Sequence, residues 1–89
     1  MEPLDYRVTD EFVKAYEAMN DETAFAVDSA LARLLRDHRS AWARQGRVAG
    51  ERGEAWILEF RTRQADVSLY WNYLDDRLIL MVMLLAHPG

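Results

Sequence analysis

Four side chains in the C-terminal half have the types needed to work on a phosphodiester: Glu59, Arg61, Tyr70 and His87. A histidine or carboxylate can move the 2′-hydroxyl proton in metal-free RNA cleavage. Arginine neutralises the phosphate, and tyrosine offers a stacking face to a base. Arg44, Arg47, Arg52 and Arg63 flank these four and would add phosphate contacts. The spacing supports a shared surface. Over residues 55–62, Trp56, Leu58 and Phe60 alternate with Ile57, Glu59 and Arg61; over residues 66–73, Val67, Leu69, Trp71 and Tyr73 alternate with Ser68, Tyr70 and Asn72. Period two marks half-buried strands. If the apolar sets face a core, Glu59, Arg61 and Arg63 share the outer face with Ser68, Tyr70 and Asn72. Arg44, Arg47 and Arg52 enter from the preceding loop, and His87 lies just past the last strand. Each residue also has a plainer use. Arg61 and Glu59 can pair with cross-strand neighbours or lie in water, and Tyr70 is a good strand former. His38, on an apolar helix stripe, suits a core or its rim. Trp42, Trp56 and Trp71 suit core or interface anchors.

Other chemistries find no support. No phosphate-binding glycine loop ends in Lys-Ser or Lys-Thr, and Gly46, Gly50 and Gly53 fit neither that spacing nor the dinucleotide fingerprint. His38 and His87 lack spaced carboxylate or cysteine partners, which argues against a metal site. With no cysteine in the chain, thiolate nucleophiles and disulfides are excluded. The expectation is a protein that needs no cofactor and no metal.

At 89 residues the chain suits one domain spanning residues 1–89. A chain of this size buries roughly 60–65% of the surface its unfolded form exposes, enough for a single core. Its net charge of −4 hides a partition. Residues 1–32 carry eight acids and two bases, residues 33–63 eight arginines against four acids, and residues 64–89 three acids and one base. The basic middle reads either as an anion-binding patch or as a solvated helix face. The acidic N-terminus lacks a signal-peptide pattern, and the longest apolar run, residues 78–86, is far shorter than the ~18 residues of a membrane span. The expectation is a cytoplasmic protein with no membrane partner.

The elements that position these residues follow from periodicity. Leu4, Tyr6 and Val8 alternate with Asp5 and Arg7, a short strand. Thr9 offers an N-cap to a helix carrying Phe12, Tyr16 and Met19 on one face. Asn20-Asp21 breaks it, and Asp21 can cap a second helix over residues 22–39 with Val27, Leu31, Leu34 and Leu35 on its stripe. Residues 40–54 lack a clear period and read as a long loop, with room for a helical turn around Trp42. Residues 77–85 form a last strand that is apolar at every position from Leu78 on and reads as buried on both faces, with Ile79, Met81, Met83 and Leu85 on one side. The fold class is therefore α+β. An N-terminal strand, an antiparallel helical hairpin and a three-stranded antiparallel meander make a two-layer sandwich with four strands.

This order, and the runs 53–61 (GEAWILEFR), 67–71 (VSLYW) and 78–85, resemble the RelE/ParE toxin superfamily, in particular RelE-like and HigB-like toxins of type II toxin–antitoxin modules in bacteria. The resemblance covers nearly the whole chain and rests on short motifs. It implies a toxin neutralised by an antitoxin protein. In the ribosome-dependent members it implies mRNA cleavage by basic loop and sheet residues with a histidine or tyrosine near the C-terminus. By position the candidates are Arg47, Arg52, Arg61 and His87, with Glu51 or Glu59 as base and Tyr70 for stacking. Three features depart from the family pattern: Asp66 and its neighbours stand where an arginine is usual, the chain ends at His87-Pro88-Gly89 instead of a basic tail, and the whole is acidic.

Three readings therefore remain open: an mRNA endonuclease acting at the ribosome, a ParE-like gyrase inhibitor, and a non-catalytic RelE-fold interaction or dimerisation module. The last is suggested by the apolar final strand, through which a homodimer could form.

Overall fold

The computed structural model describes residues 4–50 and 53–88. In chain order it has β1 (Asp5–Val8), α1 (Asp10–Glu17), α2 (Asp21–Asp37), β2 (Gly46–Gly50), β3 (Gly53–Arg61), β4 (Ala65–Asp75) and β5 (Leu78–Pro88). The strands form one sheet in the order β1-β5-β4-β3-β2. β2 to β5 pair antiparallel, while β1 lies parallel to β5 at the edge, with Tyr6 opposite Ile79 and Val8 opposite Met81. The expected two-layer α+β architecture is present.

Local chemistry explains both helix starts. The Thr9 hydroxyl accepts from the Phe12 amide at 3.2 Å. The Asn20 side chain accepts from the Thr23 amide at 2.9 Å, so the cap of α2 is Asn20 and not the expected Asp21, which is its first residue. Only residues 18–20 link the helices, and the Tyr16 hydroxyl donates to Asp28 at 2.9 Å, joining one to the other. Both helices cover the same face of the sheet. Phe12, Val27, Leu31 and Leu34 pack there with Leu58, Val67, Leu69, Trp71, Ile79, Met81 and Leu84. The opposite face carries no element among the described residues.

Several expectations need correcting. A third of the predicted loop is the edge strand β2, which pairs with β3 from Gly46↔Ile57 to Gly50↔Gly53 and makes the sheet five-stranded. Its sequence, GRVAG, offers one large apolar residue and glycine at both ends, so no alternation shows. Gly53 has φ +99, a left-handed conformation that suits glycine as the chain enters β3. Around Trp42 there is no helix but successive turns, held by Ser40 N–H to Asp37 O and Arg44 N–H to Ala41 O.

The last strand is not buried on both faces, nor does it keep one parity. Trp71 lies opposite Met81 and Tyr70 opposite Met83, so Val82 is an extra residue in the ladder. This β-bulge reverses the alternation. Ile79, Met81 and Leu84 are buried, whereas Met83 and Leu85 are 38% and 37% exposed on the uncovered face. The tight β3–β4 turn owes nothing to glycine: the Thr62 hydroxyl accepts from the amides of Gln64 and Ala65 and donates to the Ala65 carbonyl.

Candidate functional site

Three rows of side chains cross the uncovered face. The pairing registers set Arg61, Asp66 and His87 side by side, then Glu59, Ser68 and Leu85, then Ile57, Tyr70 and Met83. Residues directly opposite on neighbouring strands share a face and lie within side-chain reach. Glu59, Arg61, Tyr70 and His87 therefore do meet on one surface. Tyr70 is half-buried in its middle, and Arg61, Glu59 and His87 are exposed around it. Gln45, Glu59, Arg61, Asp66 and Ser68 line a shallow polar depression of about 340 Å³ on it.

The electrostatics of this surface are close to balanced. Arg61 Nε donates to Asp66 Oδ1 at 2.7 Å, so the one arginine in the three rows is already paired. His87 faces the same aspartate from the other side. The backbone of Glu59 is clasped by Gln45, whose amide accepts from Glu59 N–H and donates to its carbonyl, both at 3.1 Å. That clasp carries the β2–β3 pairing beyond Gly46 and holds Glu59 in place.

The flanking Arg44 and Arg47 are not brought to this face. Arg63 lies exposed in the β3–β4 turn. Arg44 and Arg47 lie on the helix side. Arg47 pairs in register with Trp56, its guanidinium 4.9 Å from the indole centroid, and forms an ion pair with Glu54. Arg44 sits 5.0 Å from the same indole. The sheet thus separates them from Arg61 and His87, because the side of each strand residue is set by parity and β2 places Arg47 beside the inward-facing Trp56. Arg52 and Glu51 fall outside the described residues.

A second polar cluster escaped the sequence reading. Arg44 Nη2 donates to the Tyr73 hydroxyl at 2.7 Å, that hydroxyl meets His38 Nδ1 at 2.8 Å, and Arg44 Nε donates to the His38 carbonyl at 3.1 Å. With its oxygen accepting from Arg44, the hydroxyl can direct its proton to the ring of a neutral His38. The only sequence signal was that His38 and Tyr73 both occupy inward positions of their elements. Burial lowers the His38 pKa, with the charges of Arg39 and Arg44 adding to the effect.

This cluster makes stability pH-dependent in a definite direction. His38 gains its proton at lower pH in the folded chain than in the unfolded one, whose imidazole titrates near 6.5. The stabilisation is complete above that value and declines as pH falls from about 6.5 towards the lower folded-state value. Urea titrations between about pH 7.5 and about pH 5.5 should therefore show a falling midpoint that His38→Gln flattens. An unchanged slope in the variant would assign the pH dependence to other groups.

Neither a protein-family model nor a curated relative matches the sequence. Among solved structures, the chain superposes on a double arginine-to-alanine mutant of the E. coli toxin RelE in its free state, with a TM-score of 0.71. The match spans 93% of this chain and 82% of the RelE chain at 11% identity. The chain has a RelE-like fold. At that identity the likeness concerns backbone architecture, and the RelE-like sheet carries this chain's own side chains. Among the described residues no group of three His, Asp or Glu side chains gathers as metal ligands, and no helix is long and apolar enough to cross a membrane.

Proposed function

We propose that this chain is a RelE-like toxin of a toxin–antitoxin module whose uncovered sheet face engages protein rather than RNA. The RelE-like fold supports the toxin class. The observation that carries the protein target is the composition of the face. Its single arginine is held by Asp66, Glu59 adds a second acid, and Ile57, Tyr70, Met83 and Leu85 supply an apolar and aromatic centre. Phosphate binding draws most of its affinity from unpaired cations, and among the described residues the three rows hold no unpaired arginine or lysine. A half-buried tyrosine among apolar side chains with a polar rim is instead the anatomy of a protein interface. The antitoxin would be one occupant of that surface. A cellular protein target, with gyrase as the ParE-like case, would compete for it.

A second reading is metal-free mRNA cleavage at the ribosome. It is favoured by the convergence of Glu59, Arg61, Tyr70 and His87 on that same face, where Glu59 or His87 would move the 2′-hydroxyl proton and Arg61 would hold the phosphate. For Arg61 to do so, Asp66 must release it.

Inducing the chain alone in a bacterial host distinguishes the two. The protein-directed reading expects growth arrest with intact messages, relieved by co-expressing the antitoxin. Fresh mRNA ends at codon boundaries would establish the second reading instead, and unimpaired growth would remove both. A gyrase supercoiling assay then tests the ParE-like case.

A further inference from the structure

The sheet has a second polar surface, on the helix side at the C-terminal end of α2. Between residues 33 and 47 the sequence holds Arg33, Arg36, Arg39, Arg44 and Arg47 against a single acid, Asp37, a local charge of +4 in a chain of net charge −4. The fold gathers this segment instead of dispersing it. Arg44 is drawn onto Tyr73 and His38, Arg39 and Arg44 both act electrostatically on the His38 ring, and Arg44 and Arg47 share the Trp56 indole. Arg33 lies 4.0 Å from the centroid of Trp42. Arg36 and Arg39 are exposed and have no carboxylate partner among the described residues.

We propose that this arginine patch docks an acidic polypeptide segment of a protein partner, its carboxylates taken by the exposed Arg39 and Arg47. Two observations favour carboxylates over nucleic acid. Arg44 and Arg47 lie over Trp56 and Arg33 lies over Trp42, so arginines already occupy the rings that nucleobases would stack on. Arginine presents its N–H edges to planar, bidentate partners, carboxylates among them. The patch already uses such partners, in the Arg47–Glu54 and Arg33–Asp37 pairs, so an incoming acidic segment would exchange like for like. The inference does not depend on what the uncovered face binds, because the sheet lies between the two surfaces.

The test is a tryptophan-fluorescence titration of the full chain, since Trp42 and Trp56 line the patch. Poly-L-glutamate is the probe and a single-stranded RNA oligonucleotide its competitor. Saturable binding of polyglutamate is expected, weakening as salt screens the charges. The double variant Arg39→Gln/Arg47→Gln changes only exposed side chains and should weaken it by about tenfold, the scale of losing charge-assisted hydrogen bonds. Lys14→Gln, an exposed position on α1, should bind like the parent. Absence of polyglutamate binding, tighter binding of RNA, equal affinity in the double variant, or equal loss in Lys14→Gln would each overturn the proposal. Far-UV circular dichroism of each variant separates lost binding from lost folding.

Discussion

Replacing Trp71 with alanine is expected to remove about 3–5 kcal/mol of stability, the usual cost of emptying a fully buried tryptophan site. Trp71 has no exposed surface, lies edge-on to Tyr73 at 5.4 Å between centroids, and donates from Nε1 to the Ala43 carbonyl at 2.8 Å. That hydrogen bond ties the turns after α2 to the sheet, so the residue serves packing and loop position together. Native domains hold only about 5–15 kcal/mol in total, so the variant should be largely unfolded at growth temperature or melt at least about 15 °C lower. Trp71→Phe separates the two contributions. It keeps most of the packing but leaves the Ala43 carbonyl without its donor, at about 1–3 kcal/mol. Denaturant unfolding followed by circular dichroism measures both. A loss below about 1 kcal/mol for the alanine variant would mean that the centre of the sheet is not packed as described.

Met83→Asp is expected to have the second large effect, on binding rather than folding. Met83 sits on the uncovered face next to Tyr70, and at 38% exposure it contributes little to the core. A carboxylate there would be desolvated by any partner seated on the face, beside Tyr70 and near Glu59 and Asp66. Partner binding should fall by about 30-fold or more, the effect of disabling an interface centre, with the melting temperature nearly unchanged. Co-expression is a direct readout of the proposed toxin role: an antitoxin seated on this face should no longer co-purify with the variant, although the protein remains folded. Undiminished antitoxin binding would place that interface elsewhere on the molecule.

Much of the fold was written in local pattern. Trp56, Leu58 and Phe60 and then Val67, Leu69, Trp71 and Tyr73 alternate inward as their spacing requires, because side-chain direction along a strand is a property of the backbone. Thr9 caps α1 as its position before Asp10 and Glu11 implies. The pairing of Arg61 with a cross-strand neighbour was also foreseeable from its place on the outer face, and Asp66 proved to be the partner. By contrast, β2 was illegible. A strand built from GRVAG exists only because β3 offers it a ladder, and that is a tertiary circumstance.

The sequence by itself determined the α+β class, the Thr9 cap of α1, the two alternating strands, and the gathering of Glu59, Arg61 and Tyr70 on one face, since each depends on neighbours a few positions away. Tertiary structure alone decided three things: the parallel seat of β1 beside β5, the bulge at Val82 that turns Leu84 inward and Met83, Leu85 and His87 outward, and the placement of Arg44 and Arg47 behind the sheet. The physical reason is the same for all three. Alternation within a strand is local, but which strands pair, and where a ladder admits an extra residue, depends on packing between segments far apart in the chain.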